Sequence, residues 1–444
     1  MAESFYYAYI SRHTASEYYS IPSIEFEAVS ASKINDYLNH IVKNLSNAQE
    51  VNSAVSAFWA KYAHNEDMGL SYINVYFGHP YCNFFVETKW IGLEFNFIPS
   101  EKAVYPCSIQ PFNPYEPPIE GKFCQTTHLP EDYLTALNHL FSVPDVISEE
   151  AAENHAFGGI NHATVIGAVR AYYVGAALCV GLIDAGGVLQ GFFDLGCHKS
   201  GDAGSPQRLA ADANYTEITG HLKGAHPLTI IISHWHRDHI NIISALDPAE
   251  IARHTWICPQ SNAPSAARFS RLPGVARIIM PNVAMQNNMP LQVGANFIIY
   301  KIDFYPHNNF HPHPHHHGIY AMLSTQLGNK ILLSGDCTYA GILPGIFDAP
   351  APTAGSSLIL QASHHGGNYA LHETTVAPRR ASIRNHTGGV LIASRSVFFS
   401  ANGHTHGHPS PEVMTDHDIA NWPAANHILL HSIIGPGVRY RDFN

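Results

Sequence analysis

A cluster of histidine and aspartate side chains stands directly after an apolar run near the middle of the sequence. His234, His236, Asp238 and His239 form an H-x-H-x-D-H pattern that follows the segment LTIIIS. In a turn after a strand, His234 and His236 can face one point, and the next turn can bring Asp238 and His239 to a second. Neutral imidazoles and carboxylates are ligands that zinc, manganese and iron accept. The spacing predicts a site for two divalent ions about 3.5–4 Å apart that share a bridging hydroxide, a nucleophile at neutral pH.

A histidine-rich surface loop is the alternative interpretation of this segment, because the chain contains 31 histidines in 444 residues. Chance matches to four fixed positions should number on the order of 0.01 in such a chain. The metal-site interpretation is therefore favoured.

Further motifs of the same chemical kind stand before and after this cluster in a consistent order. FFDLG contains Asp194, ILLSGD ends in Asp336, and SHHGG contains His364 and His365; NGHTHGHPSPEVM comes last. With H-x-H-x-D-H after an apolar strand, this order resembles the metallo-β-lactamase superfamily, and most of all its ComEC-like subgroup, named for the hydrolase domain of the DNA-internalisation competence protein. The resemblance covers roughly residues 160 to 440. Gly175-Ala176-Ala177-Leu178 departs from the subgroup's GQGD, and HHGG departs from HHGS.

The resemblance implies a role for each of these acidic and histidine side chains. Asp194 would brace the metal-binding loop through hydrogen bonds, and Asp336 would bridge both metals. His365 or His364 would be the last metal histidine, with His365 slightly favoured because the following glycines allow a tight turn. For Asp336 the alternative is an ordinary turn or cap at a strand end.

Two further histidine segments could complete the site. Within HPHPHHH, the family's third histidine is best matched by His315, with His316 and His317 as alternatives; the segment could instead be a flexible loop that binds metal adventitiously. His408 in GHPS is a candidate for protonating the leaving group, as is the member of the His364 pair that is not a ligand. A loop histidine that caps a helix is the alternative for His408, and His404 and His406 are weaker candidates.

The predicted function is that of a dinuclear metal-dependent hydrolase. His234, His236 and His315 would hold one ion, and Asp238, His239 and His365 or His364 the other, with zinc as the expected metal and manganese or iron as the alternatives. The resemblance favours a phosphodiesterase or nuclease. The net charge of −11 argues against broad binding of a nucleic-acid backbone, so a small phosphodiester or a short single strand is the expected substrate. The alternatives are a lactone, thioester or β-lactam hydrolase of the same fold and a partner-binding component with an accessory metal site.

The elements around these motifs predict two domains. Residues 1–155 are expected to form an α+β region of unknown role, open to a protein partner or an oligomer contact, with helices at 30–47 and 51–62. The proline-rich segment 105–121 is expected to lack regular structure. Residues 156–444 alternate apolar strands with helices, including one helix at 240–253, which suggests an α/β fold with layered αββα packing, the metallo-β-lactamase sandwich.

The predicted compartment is the cytoplasm. The seven cysteines are scattered, odd in number and without a C-x-x-C pair, which fits a reducing environment better than a disulfide framework. The N-terminal segment lacks the pattern of a secretory signal, and no long uninterrupted apolar stretch predicts a membrane helix.

Overall fold

The structure is a computed structural model, in which the chain separates into two compact units. Unit 1 comprises Met1–Asp145 with Gln260–Gly274, and unit 2 comprises Val146–Pro259 with Val275–Asn444. The predicted boundary at residue 155 lies outside the described residues. The residues described are 5–14, 23–62, 69–76, 90–96, 105–111, 119–143, 159–197 without 176, 212–280 without 262 and 273, 289–302, 318–348 without 338, 344 and 345, 356–366, 394–400, 409–419, 424–430, 437 and 440–444.

The helices of the described segments are numbered here in chain order. They are α1 (Ala31–Lys43), α2 (Ala48–Tyr62), α3 (Glu131–Phe141), α4 (Ala213–Lys223), α5 (Arg237–Ile240), α6 (Pro248–Ala252), α7 (Pro264–Ser270) and α8 (Pro411–Ile419). In α1, the side chains of Ile34, Leu38 and Ile41 are buried, which is the helical spacing that the sequence predicts.

Unit 1 contains a closed antiparallel barrel with strand order β1-β2-β3-β5-β6-β4, in which β4 pairs back onto β1. Its strands are β1 (Phe5–Thr14), β2 (Ser23–Ser30), β3 (Leu70–Tyr76), β4 (Trp90–Asn96), β5 (Tyr105–Pro111) and β6 (Ile119–Thr127). Alternate residues such as Phe26 and Ala28 on β2, and Ile73 and Val75 on β3, join one hydrophobic core, as the two-residue period of a strand requires. Closure leaves this sheet without a free edge.

The expectation that 105–121 lacks regular structure is wrong for β5 and for the start of β6. In β5, Pro106 is the second residue and Pro111 the last; they pair with Lys122 and Ser71. A proline lacks only the N–H donor, and its carbonyl still accepts, so prolines near strand ends disturb the ladder least. Residues 112–118 lie outside the described residues.

Unit 2 is built on two seven-stranded mixed sheets. The first sheet has the order β12-β11-β10-β9-β8-β7-β20 and the second β13-β14-β15-β16-β17-β18-β19. The strands of the first are β7 (Ile166–Tyr172), β8 (Cys179–Asp184), β9 (Leu189–Leu195), β10 (Thr229–Ile231), β11 (Thr255–Pro259), β12 (Ala276–Met280) and β20 (Tyr440–Phe443). Those of the second are β13 (Met289–Gly294), β14 (Phe297–Lys301), β15 (Ile319–Ser324), β16 (Lys330–Leu333), β17 (Ser357–Gln361), β18 (Ser394–Phe399) and β19 (His427–Leu429).

The two sheets of unit 2 share one hydrophobic core. Phe193 and Ile231 of the first sheet belong to the same buried cluster as Ile319 and Phe398 of the second. On β15 the intervening residue Tyr320 belongs instead to a second cluster, which includes Val413 of α8. The second sheet therefore buries both faces, one against the first sheet and one against α8 and neighbouring turns, and the predicted α/β class is confirmed.

The single helix predicted for residues 240–253 is interrupted. A short 3-10 helix spans Asn241–Ala245, and α6 begins at Pro248. Asp247 starts α6 with a capping box: its carboxylate accepts the Glu250 backbone N–H, and Glu250 accepts the Asp247 N–H. A capped start with proline at the first helical position favours a new helix over continuation of the preceding one.

Among the described residues, none of the helices combines the length and apolar character needed to span a bilayer. The cysteines Cys107, Cys179, Cys197, Cys258 and Cys337 are buried free thiols.

Candidate metal centre

The histidine and aspartate residues singled out by spacing follow the carboxyl ends of strands in unit 2. His234 comes three residues after β10, and α5 carries Asp238 and His239. Asp336 follows β16, and the His364–His365 pair follows β17. Because β10 lies in the first sheet and β16 and β17 in the second, the shared core brings these turns together.

Six of these side chains form two groups that could hold a metal ion. His234, His236 and Asp336 make the first group, and Asp238, His239 and His365 the second; all six are buried. Within each group the potential ligand atoms lie within 4.8 Å of one another.

The Asp336 carboxylate joins the two groups. Its Oδ2 lies 3.5 Å from His234 Nε2 and 3.6 Å from His364 Nε2. Its Oδ1 lies 3.2 Å from His239 Nε2 and 3.8 Å from His365 Nε2. In a tetrahedral zinc site with bonds of about 2.0–2.2 Å, neighbouring ligand atoms stand about 3.3–3.6 Å apart. The observed separations, 3.2–3.8 Å, are close to those of ligand atoms around a metal ion.

His239 shows most directly that the donor set fits a cation. Its Nε2 is buried and lies 3.2 Å from Asp336 Oδ1. Burial opposes a charge on this ring, but the carboxylates of Asp336 and Asp194 outweigh burial and raise the pKa of His239 well above its usual value. The surroundings of His239 therefore favour positive charge, which a metal ion would supply.

His234 and Asp336 have the charge states that metal ligands need. Burial and the neighbouring His239 and His236 rings hold the pKa of His234 well below its usual value, so its imidazole is neutral. Burial would raise the pKa of Asp336, but four surrounding histidines lower it well below its usual value, so this carboxylate is ionised. Neutral imidazole and carboxylate are the forms that bind metal.

Asp194 and Ser233 set the tautomers of two of these histidines. Asp194 Oδ2 accepts from His239 Nδ1 at 2.7 Å and from Ser233 Oγ at 2.7 Å, and Oδ1 accepts the Ser233 backbone N–H at 2.6 Å. Since the Ser233 hydroxyl donates to a carboxylate, its oxygen can accept Nδ1–H of His234 at 3.1 Å. Both rings then carry hydrogen on Nδ1, which leaves Nε2 as the nitrogen that can bind a metal ion.

The turn that carries Asp238 lies against the end of β9. The Leu178 backbone N–H donates to the Asp238 carbonyl at 3.1 Å, and the Gly196 N–H donates to the Leu178 carbonyl at 2.8 Å. A Cβ on Gly196 would stand 1.7 Å from the Asp238 carbonyl oxygen. Glycine is required at this position because a backbone passes where any side chain would be.

Strained backbone in the described residues is concentrated at this site. Apart from glycines, the residues with positive φ are Asp194 (φ 61), His364 (φ 48) and His365 (φ 54). Left-handed conformations cost a non-glycine residue roughly 1–2 kcal/mol. Such strain persists only where surrounding contacts determine the backbone, and it clusters at functional sites.

Hydrogen bonds around the second sheet hold Asp336 and His365 in place. The Gln361 side-chain amide accepts from the Gly335 N–H at 2.7 Å and donates to the Gly335 carbonyl at 3.2 Å, which fixes the backbone just before Asp336. His365 Nδ1 lies 2.8 Å from Ser400 Oγ, directly after β18, and this directs Nε2 towards Asp238 and Asp336.

The structure brings together Asp194, His234, His236, Asp238, His239, Asp336, His364 and His365. It places His365 in the group with Asp238 and His364 against Asp336; which of them is a ligand stays a prediction. His315, its alternatives His316 and His317, and the candidates His404, His406 and His408 lie outside the described residues. Sequence reasoning missed Ser233, Gln361 and Ser400. Only their position at strand ends beside motif residues could have indicated them.

No protein-family model matches this sequence, and none of the curated proteins matches it significantly. Function is therefore inferred from the motif order together with the geometry of the buried side chains.

Proposed function

We propose that this protein is a dinuclear metal-dependent hydrolase of the metallo-β-lactamase superfamily. The observation that carries the proposal is the Asp336 carboxylate, one oxygen of which faces His234 while the other faces His239 and His365. A carboxylate shared in this way, with ligand candidates on either side, is the arrangement that two adjacent divalent ions need.

The architecture of unit 2 supports the same family. Its two mixed sheets share a core, and α8 contributes Val413 to the cluster on the other face of the second sheet. We propose that unit 2 is an αββα sandwich, with the ligand-bearing turns at the strand ends between the two sheets.

When bound, divalent ions at this site supply a hydrolytic nucleophile at neutral pH and stabilise negative charge that develops on the substrate. The chain's own residues would hold those ions, and hydrogen bonds fix which ring nitrogen of His234 and of His239 faces the site. Nε2 of His234 and of His239 would be the metal-binding nitrogens, because each Nδ1–H donates a hydrogen bond, to Ser233 Oγ and to Asp194 Oδ2 respectively. Asp336 is kept ionised by the four histidines around it. Protonation of the leaving group is assigned to His408 or to the member of the His364–His365 pair that does not bind metal.

The substrate class we propose is a small phosphodiester or a short single strand of nucleic acid. Support comes from the motif order LLSGD, SHHGG and GHPS, which resembles the ComEC-like subgroup, and from the net charge of −11, which disfavours a long duplex. The other candidate is hydrolysis of a carboxylic substrate, a lactone, thioester or β-lactam, by the same centre.

The test compares metal content and turnover in the full-length protein. Wild type is expected to bind two equivalents of zinc or manganese and to hydrolyse bis-p-nitrophenyl phosphate. Asp238→Ala should lose at least one metal equivalent and most of the turnover. Asp184→Asn is the matched control. Asp184 also lies in unit 2, but its carboxylate belongs to a surface turn, where it accepts hydrogen bonds from the Gly186 and Val188 backbone N–H groups and the Gln190 side chain.

Turnover of a lactone or nitrocefin without turnover of the diester would replace the proposed substrate class and keep the metal centre. A correctly folded wild type that binds no divalent metal would overturn the proposal and favour a partner-binding role.

A further inference from the structure

A buried tyrosine–histidine pair stands behind the His364–His365 turn. Tyr339 Oη lies 2.8 Å from Nε2 of His417 on α8 and 3.0 Å from the backbone nitrogen of Ser363. Tyr339 is 1 % exposed and His417 is fully buried. We infer that Tyr339 and His417 are positioning residues that hold this turn in the shape that metal binding needs, an inference that rests on the proposed function of the site.

The hydrogen positions in this chain of contacts follow from the partners. His417 Nδ1 lies 2.8 Å from the Val413 carbonyl, which can only accept, so Nδ1 carries the hydrogen. Nε2 of the neutral ring is then an acceptor, and the Tyr339 hydroxyl must donate to it. The Tyr339 oxygen in turn accepts the Ser363 N–H. The donor and the acceptor are therefore determined for each of these three hydrogen bonds.

The neutral state of His417 is favoured by its surroundings. Burial lowers the pKa of His417 to about 4, the Val413 carbonyl opposes that shift, and His427 adds to it. The ring packs edge-on against Tyr339 and against Phe399, with centroids 5.6 Å apart in both cases. A protonated Nε2 could not accept the hydrogen bond from the Tyr339 hydroxyl. Because burial keeps the His417 ring neutral, Tyr339 remains the donor in this contact.

The turn needs this support because it is strained. Ser363 is followed by two residues with positive φ, His364 and His365, a conformation that side chains disfavour. The Ser363 N–H is held by Tyr339, and its hydroxyl donates to the Cys337 carbonyl at 2.6 Å. Ser363 therefore anchors the turn just before its strained residues, and Tyr339 supplies one of its two anchors.

Helix α8 thereby acquires a function at the metal centre. It follows the GHPS motif, and His417 connects it to the turn whose histidines face Asp336 and Asp238. Partners that orient a metal ligand without touching the metal typically change metal affinity 10–100-fold when mutated. Mutation of Tyr339 or His417 is therefore expected to change metal affinity by about 10–100-fold.

Tyr339→Phe is the first variant, because it removes one oxygen atom and leaves the ring packing in place. In the full-length protein it is expected to lower zinc affinity about 10–100-fold in a chelator competition. It should also change the visible absorption spectrum of the Co²⁺-substituted protein. His254→Gln is the matched control: His254 is a buried histidine of unit 2 that bonds the Leu228 N–H and the Leu222 carbonyl. This control should lower the unfolding temperature but leave zinc affinity and the Co²⁺ spectrum unchanged.

A second pair of variants decides the matter if Tyr339→Phe does not fold. His417→Leu removes the acceptor for the tyrosine hydroxyl, whereas His417→Gln can offer an amide oxygen in its place. Zinc affinity is expected to fall in the order wild type, Gln, Leu. Wild-type affinity and spectrum in Tyr339→Phe, or equal affinity in the two His417 variants, would overturn the positioning role and leave the proposed metal centre intact. A folded wild type that binds no metal would instead refute the proposed function, and the positioning role with it.

Discussion

Asp194 and His239 form a buried pair in which the carboxylate oxygen Oδ2 lies 2.7 Å from the ring nitrogen Nδ1. Neither side chain is exposed to solvent. A carboxylate accepts and cannot donate, so this contact requires hydrogen on Nδ1 and leaves Nε2 free to face Asp336. The ligand role that we propose for His239 therefore depends on a residue 45 positions earlier in the sequence.

Asp194→Asn tests this dependence while preserving side-chain size. The side-chain amide of asparagine can present its NH₂ group to Nδ1, which would move the ring hydrogen to Nε2 and block the metal-facing nitrogen. We expect a loss of metal affinity of about 10–100-fold, measured by chelator competition. Asp184→Asn, at a surface turn of the same unit, should bind metal as wild type does; a loss of similar size there would show that the effect is not specific.

Gly196→Ala is expected to displace the backbone of the turn that carries Asp238 and His239. The added Cβ would overlap the Asp238 carbonyl oxygen, so the turn carrying Asp238 and His239 must move. We expect metal binding to be lost and the unfolding temperature to fall. Gly220→Ala is the control, because Gly220 lies in α4 and an added methyl group would meet no atom within 4 Å beyond its own helical backbone and chain neighbours. Alanine there should stabilise the helix by about 0.5–1 kcal/mol; an unaffected metal content in Gly196→Ala would contradict the close approach.

Ser400→Ala removes the hydroxyl that contacts Nδ1 of His365 at 2.8 Å. Without it the ring can rotate or change tautomer, and affinity for one of two metal equivalents should fall about 10–100-fold. Isothermal titration that resolves the two equivalents provides the measurement. Ser270→Ala serves as control, since Ser270 is a buried serine of unit 1 whose hydroxyl donates to the Ala267 carbonyl. Equal weakening in both variants would show that loss of a buried hydroxyl, and not its place beside His365, is responsible.

The buried carboxyl group of Glu27, in unit 1, provides a pH prediction. Burial raises the pKa of Glu27 to about 7; the two hydrogen bonds from Ser265 oppose the shift, and Glu25 adds to it. Tyr9, its partner across β1 and β2, is another titratable neighbour. Because the folded state binds the Glu27 proton more tightly than the unfolded state, this residue makes stability fall as pH rises from about 4.5 to about 7.

Glu27→Gln should remove that dependence. A shift of this size corresponds to about 3 kcal/mol in the free energy of unfolding as an upper limit. The variant is expected to match wild type near pH 4 and to be more stable at pH 8, measured by urea denaturation at both values. Lower stability of the variant at pH 8 would show that Glu27 is ionised in the folded state at little cost.

The limits of prediction are visible in particular elements. Strands with continuous apolar runs and helices such as α1 were predictable, because period and capping are local. The single helix predicted at 240–253 is interrupted at the Asp247 capping box and Pro248. Both are local signals in the sequence, but the prediction gave more weight to the apolar pattern. Strand β5 was missed because its prolines suggested irregular structure. It forms a strand because it pairs with β3 and β6 in the barrel, and this pairing is not visible in the local sequence.

At the candidate site, the sequence alone determined which residue types stand after which strands. H-x-H-x-D-H, SGD and SHHGG are local patterns, and their chemistry follows from the side chains. The resemblance predicted a bridging role for Asp336 and a bracing role for Asp194, but only the tertiary structure decided which histidines face each oxygen of Asp336 and that Ser233 and Ser400 contact ring nitrogens. The physical reason is that the 2.7 Å hydrogen bonds of Asp194 depend on the pairing of β9 with β10, and the contacts of Asp336 depend on how the two sheets pack. Neither periodicity nor spacing carries that information.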